Sequence, residues 1–100
     1  MAVEMRKLLT VITEASIERQ LIKDFQQWGV TGYTITDARG KGSRGVRDAG
    51  WDVSANIRIE IVCNDALAHQ VADNMRKKYY DNYAMITYIA DVEVMRSEKF

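Results

Sequence analysis

Hydrophobic and polar residues alternate along this chain with two different periods. Segments rich in β-branched and aromatic residues predict four strands, at residues 7–13, 31–37, 55–63 and 84–95. Two other segments place apolar residues at helical spacing: Ile17, Leu21, Ile22, Phe25 and Trp28 in the first, and Ala68, Val71, Ala72, Met75 and Tyr79 in the second. The order βαββαβ predicts an α+β, ferredoxin-like fold, with two helices on one face of a four-stranded antiparallel sheet.

Local signals predict where the two helices begin and end. Thr13 is a candidate cap for the first helix, Glu14 suits the positive end of its dipole, and Gly29 can end it in the left-handed conformation. Asn64 is the candidate cap of the second helix, whose last turn carries Lys77 and Lys78.

The third and fourth predicted strands differ in how their apolar residues are distributed between the two faces. The third strand is one-sided, with Ile57, Ile59, Ile61 and Cys63 predicted inward and Asn56, Arg58 and Glu60 outward. The fourth carries apolar residues on both faces: Ile86, Tyr88, Val92 and Val94 on one, and Met85, Ile89 and Met95 on the other. Since one helical layer covers one face only, we expect a homo-oligomer to cover the second.

Composition limits the function classes. The 100 residues predict one domain, and a formal net charge of zero gives no global attraction to nucleic acid or membrane. One cysteine excludes an intrachain disulfide and a cysteine zinc cage. There is no long apolar run and no signal-peptide pattern after Met1, so a cytoplasmic protein is expected.

The connection between the second and third predicted strands, at about residues 38–54, is the candidate functional segment. It contains the string Gly40-Lys41-Gly42-Ser43-Arg44-Gly45, which has the spacing G-x-G-x-x-G. A dinucleotide site of that pattern requires a helix directly after the glycines, whereas another strand follows here, and no Walker sequence is present. Glycines beside several cations can instead turn backbone N–H groups toward one anion, such as a phosphate, carboxylate or bicarbonate. A solvated surface loop is the alternative.

Two longer strings indicate a family. The sequence GVTGYTITDARGKGSRG at residues 29–45, followed by RIEIVCND at 58–65, resembles the PII signal-transduction family over almost the full length. Together with YYDNYAMITYI, it is most similar to the divergent branch linked to inorganic carbon, which comprises SbtB-like and carboxysome-associated PII proteins. The resemblance implies a homotrimer with a long "T-loop" at about residues 38–54, and adenine nucleotides in the clefts between subunits.

The resemblance also implies site residues. The nucleotide-binding set is Gly32, Thr34, Gly40, Lys41, Gly42, Ser43, Arg44, Glu60, Val62, Ala84, Met85 and Arg96. The loop residues themselves, apart from the resemblance, indicate a second set that is expected to meet a small anion or a protein partner: Lys41, Arg47 and Trp51, although Trp51 could equally pack on its own sheet. The implied ligands are ADP or AMP, with cyclic AMP and bicarbonate as further candidates, and the implied partner is a bicarbonate transporter or a carboxysome-related protein.

Three departures from ordinary PII proteins refine these expectations. The stretch before the last strand has neither glycine nor lysine at 81–86, so a triphosphate should be held poorly. Arg44 stands where the family has the glutamine that supports 2-oxoglutarate binding, so that effector is not expected. The chain ends without the Cys-Gly-Pro-x-x-Cys extension of many SbtB proteins, which favours the carboxysome-associated type.

The sequence contains few residues that could support catalysis or metal binding. One histidine and one cysteine cannot form a nucleophilic triad, and His69 is predicted on a helix surface and Cys63 in the core. No enzyme activity, metal or cofactor is therefore expected. The alternatives are a CutA-like trimeric metal-associated protein, an ordinary nitrogen-regulatory PII protein, and a small enzyme of the same fold.

Overall fold

The structure is a computed structural model that describes residues 3–40 and 55–96. The described residues form four strands, β1 (Glu4–Glu14), β2 (Thr34–Ala38), β3 (Asn56–Cys63) and β4 (Met85–Val94). Helix α1 (Glu18–Gln27) follows a short 3-10 turn (Ala15–Ile17), and helix α2 (Asp65–Tyr79) follows β3. The strand order is β2-β3-β1-β4, and every neighbouring pair is antiparallel. The predicted ferredoxin-like fold is confirmed.

The core lies between the sheet and the two helices. Its fully buried side chains come from alternate positions of the central strands and from the predicted helical stripes, and they include Leu9, Val11, Ile57, Ile59, Ile61, Leu21, Phe25, Val71 and Met75. Cys63 is 6% exposed and belongs to the same cluster, as predicted. Asn56 lies on the outward side of β3, as predicted, but is only 3% exposed.

The beginning of α1 differs from the prediction. Thr13 does not cap the helix, because it is still part of β1, and its hydroxyl donates to the carbonyl oxygen of Ala84 at 2.7 Å. The Glu14 carboxylate accepts the Ala84 N–H at 2.8 Å, although Glu14 had been predicted to stabilise the helix dipole. The α-helix therefore starts at Glu18, after the 3-10 turn.

The other helix ends agree with the prediction. Gly29 has φ +87°, and the N–H of Val30 bonds the carbonyl of Phe25 at 2.9 Å, which is the 6→1 bond of a Schellman motif. The side chain of Asn64 accepts the Leu67 N–H at 2.8 Å and caps α2. These two ends fix where the chain enters β2 and where it leaves β3.

The sheet face opposite the helices is open in the single chain. Register partners of an antiparallel sheet share a face, so Ile12 and Ile86 lie together there, as do Thr10 and Tyr88. Ile86 is 56% exposed and Tyr88 is 43% exposed. Met85 and Ile89, on the other face of β4, pack against the core. The two-sided apolar character predicted for β4 is thus present, and its second face has no cover within the described chain.

Candidate functional site

The candidate site lies along the edge formed by β2 and β3. Strand pairing places Thr34 opposite Glu60, and continues through Thr10 to Tyr88 across the sheet. Gly32, two residues before β2 begins, and Val62 of β3 line one pocket of about 160 Å³. The structure therefore brings together four residues that the sequence assigned to the nucleotide: Gly32, Thr34, Glu60 and Val62.

The base of the long connection lies at one end of the same sheet. Ala38, Asn56 and Glu14 form one row of paired residues, and Gly40 follows Ala38 by two positions. This row is four residues along β3 from Glu60, which is about 13 Å at the rise of an extended strand. The remaining predicted residues of the connection, which are Lys41, Gly42, Ser43, Arg44, Arg47 and Trp51, lie outside the described residues.

Ala84 is drawn to this end of the sheet by β1. Its N–H donates to Glu14 and its carbonyl accepts from Thr13, while the next residue, Met85, pairs with Thr13. The short connection between α2 and β4 is therefore fixed beside the base of the long connection. Ala84 and Met85 therefore lie at the same end of the sheet as Gly40, with β3 and β1 between them.

Arg96 is at the opposite end of the sheet. It follows Val94, which pairs with Glu4 at the start of β1, whereas Gly40 follows β2 at the end of the sheet where β1 ends. The separation of ten positions between Glu4 and Glu14 corresponds to about 33 Å of strand. Within one chain, Arg96 is not brought to the loop base.

An ion pair lies beside the candidate site on the open face. Arg58 and Glu60 are neighbours on the outward side of β3, and their side chains approach to 3.1 Å. Both remain partly exposed, at 46% and 38% of the side chain. A carboxylate in this position is an acceptor that a ligand's amino group can reach.

A buried carboxylate was missed by the sequence analysis. Asp24, on the inner side of α1, is 1% exposed and accepts from Lys78 at 2.7 Å, from Gln20 at 3.2 Å and from the hydroxyl of Tyr79. Burial and the Asp24 carboxylate together raise the pKa of Tyr79 well above its usual range. One signal was available, since Asp24 falls three residues after Leu21, on the apolar stripe.

The Asp24 contact supports the α2–β4 connection. Tyr79 ends α2, and its carbonyl accepts the N–H groups of Asn82 at 3.1 Å and Tyr83 at 3.0 Å. The rings of Tyr79 and Tyr83 pack edge to face with centroids 5.7 Å apart. Because Asp24 holds Tyr79, it also helps to place the connection that ends at Ala84.

Other groups with chemical potential lie away from this site. His69 is on the surface of α2 with 62% of its side chain exposed, as predicted. A larger pocket of about 370 Å³ between α2 and β4 contains His69 and none of the predicted site residues. Among residues 3–40 and 55–96, no three His, Cys, Asp or Glu side chains are grouped in a way that could hold a metal ion. None of the helices described is long and apolar enough to cross a membrane.

Comparison with known proteins decides the family. The family model "Nitrogen regulatory protein P-II" matches residues 6–99. The chain belongs to the P-II family. A PII-like signalling protein from Thermus thermophilus is 37% identical, with a TM-score of 0.83 over 100% of this chain and 99% of that one.

A second similar structure is more distant in sequence. CPII from Thiomonas intermedia, a nitrogen regulatory PII-like protein bound to ADP, AMP and bicarbonate, is 23% identical with a TM-score of 0.79, over 95% of this chain and 98% of its own. CPII bound to ADP and bicarbonate is 24% identical with a TM-score of 0.81, over 99% and 97% of the two chains. These likenesses establish the shared fold. The resemblance to PII proteins that the sequence indicated is confirmed.

Proposed function

We propose that this P-II family member is a signalling protein that binds ADP or AMP in the clefts between the subunits of a homotrimer. The observation that carries the proposal is the arrangement of the sheet edge, where Gly32, Thr34, Glu60 and Val62 lie on one side of the loop base at Gly40. The separation of about 13 Å between the Glu60 row and the loop-base row suits an extended nucleotide. Cyclic AMP, which is compact, is a further ligand to be tested.

The two ends of this edge suggest the orientation of the nucleotide. Glu60 supplies a carboxylate acceptor for the exocyclic amino group of adenine, beside the pocket that Gly32 and Val62 line. The phosphates then extend toward Gly40, Lys41, Gly42, Ser43 and Arg44, where backbone N–H groups and cations can bind them. Arg96, about 33 Å along the sheet from this end, contributes from a neighbouring subunit.

Bicarbonate and a protein partner are proposed to engage the 41–54 segment. CPII, which has the same fold, has been seen with ADP, AMP and bicarbonate. Lys41 and Arg47 offer cations for a small anion, and Trp51 offers an aromatic anchor for a partner. A bicarbonate transporter or a carboxysome-related protein is the partner class we propose, so that nucleotide state would regulate the uptake or fixation of inorganic carbon.

Calorimetry on the purified protein tests the ligand class. ADP and AMP should bind at least as tightly as ATP, and 2-oxoglutarate with magnesium should not improve ATP binding. Preference for ATP with 2-oxoglutarate synergy would instead indicate an ordinary nitrogen-regulatory protein. Binding of Cu²⁺ without any nucleotide would support the CutA-like alternative.

Two variants test whether different residues of the 41–54 segment bind the nucleotide and the small anion. Arg44→Ala should weaken ADP binding by about tenfold, which corresponds to about 1.4 kcal/mol, because a charge-assisted hydrogen bond to a phosphate is lost. Arg47→Ala should leave ADP affinity unchanged and reduce bicarbonate binding. Equal ADP affinities for the wild type and Arg44→Ala would show that the phosphates bind elsewhere.

A further inference from the structure

Arg58 lies beside the proposed base site without being one of the residues assigned to the nucleotide. It is two residues before Glu60 on β3, and side chains two positions apart on a strand point to the same face of the sheet. Strand pairing places Arg58 between Thr36 of β2 and Ile12 of β1. Arg58 therefore shares the open face with the carboxylate that is proposed to recognise adenine.

The guanidinium of Arg58 holds one oxygen of the Glu60 carboxylate. Arg58 Nη2 donates to Glu60 Oε2 at 3.1 Å. A carboxylate has two acceptor oxygens, so a bond to Oε2 leaves Oε1 able to accept from a second donor. A hydrogen bond between charged groups is stronger than one between neutral groups, and it favours one rotamer of the glutamate side chain over the others. Glu60 is thus presented to a ligand as a held acceptor.

The surroundings of this ion pair change when the open face is covered. In the single chain both side chains are partly exposed, and an exposed pair contributes little because water competes for it. Covering the face by neighbouring copies lowers the local dielectric constant, which strengthens the attraction between the two charges. The remaining polar atoms of a covered pair then need hydrogen bonds. The amino group of a bound base can supply one of these bonds to Glu60.

A carboxylate distinguishes purine bases by the group at position 6. It only accepts hydrogen bonds, so it pairs with the 6-amino group of adenine but meets the 6-carbonyl of hypoxanthine as one acceptor facing another. A site built to bond a polar group of the ligand rejects an analogue without that group, because the polar group of the site is left unpaired. This selectivity depends on a carboxylate that stays directed at the base.

We propose that Arg58 is a positioning residue that holds Glu60 against the base and thereby sets a preference for 6-aminopurine over 6-oxopurine nucleotides. This inference rests on the proposed nucleotide site, whose base end is formed by Gly32, Glu60 and Val62. Arg58 acts through Glu60 and does not contact the base. Its removal should therefore change the discrimination between bases as well as the affinity for a nucleotide.

Calorimetry with ADP and inosine diphosphate (IDP), which differ at position 6 of the base, tests this preference. The wild type should bind ADP at least about tenfold more tightly than IDP, the factor that 1.4 kcal/mol produces. Glu60→Gln, whose amide both donates and accepts, should bring the two affinities close together. Arg58→Gln should also lower the ratio of ADP to IDP affinity severalfold, and Arg58→Lys should restore most of it.

Loss of a cation near an anionic ligand is the competing effect, and the ratio separates it from positioning. A lost charge should weaken ADP and IDP alike and leave their ratio unchanged. Lys23→Gln, which removes an exposed cation from α1, is the matched control and should keep both affinities at the wild-type values. Thermal unfolding checks that each variant is folded, as expected for the partly exposed Arg58.

Each remaining outcome overturns a different statement. A wild-type ratio in folded Arg58→Gln overturns the positioning role, and a higher ratio would show that the guanidinium contacts the base itself. Equal affinities of the wild type for ADP and IDP overturn the selectivity assigned to Glu60 and Arg58 while leaving a nucleotide site in place. A wild-type protein that binds neither nucleotide overturns the proposed function.

Discussion

Asp24 is the residue whose loss should be felt most strongly in folding. Its carboxylate is buried and joins α1 to Lys78 and Tyr79 at the end of α2. Asp24→Ala would leave the buried Tyr79 hydroxyl without its acceptor, and an unsatisfied buried group of this kind costs about 1–3 kcal/mol. We expect the free energy of unfolding, measured by urea denaturation, to fall by that amount.

Asp73 provides the control for Asp24. It lies on the exposed side of α2 and pairs with Arg76 at 2.7 Å and Lys77 at 3.1 Å, contacts that lower its pKa. Because water can replace both contacts, Asp73→Asn should leave the urea midpoint at neutral pH nearly unchanged. Equal losses for the two variants would mean that burial of Asp24 does not matter.

Tyr79 should give the protein a specific response to high pH. Its pKa is raised above the ordinary tyrosine value of about 10 in the folded state, first by burial and then by the Asp24 carboxylate. The stabilisation from neutral Tyr79 is therefore complete below about pH 10 and is lost progressively at higher pH, because the unfolded chain ionises first.

Ultraviolet titration of tyrosinate tests this response. Tyr79 should ionise only together with the loss of helical circular dichroism, as a late step in the titration. Tyr79→Phe should remove one late tyrosine from the titration. A late step of unchanged amplitude in that variant would show that another tyrosine is the protected one.

The end of α1 is the element most dependent on one backbone conformation. Gly29 has φ +87°, and no neighbouring atom lies within 4 Å of the position that a Cβ would occupy. Gly29→Ala should therefore destabilise the protein through conformation alone, by about 1–2 kcal/mol. Gly32, which has the same open surroundings without a positive φ, is the control, and Gly32→Ala should preserve the thermal midpoint.

The elements were predictable from sequence to the extent that local signals decide them. The periodicity of the apolar residues predicted both helices and all four strands. Asn64 and Gly29 each marked one helix end. The beginning of β2 was placed at residue 31, but pairing with β3 starts at Thr34, and Tyr33 packs on Phe25 with ring centroids 5.6 Å apart. Strand boundaries of this kind depend on the partner strand, which no local pattern reveals.

The site was less predictable for the same reason. Family resemblance named Gly32, Thr34, Glu60 and Val62, but the register that places them on one edge comes from tertiary pairing. Glu14 was assigned to a helix end, since the sequence contains no indication that Ala84, seventy residues later, would need its carboxylate. Contacts between distant residues are decided by packing rather than by spacing.

At the scale of the whole molecule, the open sheet face determines the expected assembly. Ile12 pairs with Ile86 there, and Thr10 pairs with Tyr88, whose ring remains 43% exposed. Thr10 Oγ1 is buried without a hydrogen-bond partner among the described atoms, in the middle of this face. Apolar surface of this kind on a P-II family member is best covered by two further copies, and we predict a homotrimer.

Light scattering at micromolar concentration measures the assembly, and one substitution tests which face makes it. Ile86→Glu puts a charge on the open face at a position that is 56% exposed in the single chain, and should convert the trimer into monomers because burying an unpaired carboxylate is costly. Gln26→Glu adds the same charge on the exposed side of α1 and should leave the trimer intact. If both variants remain trimeric, the subunits meet through another surface. A monomeric wild type would remove the intersubunit cleft, and with it the contribution proposed for Arg96 from a neighbouring subunit.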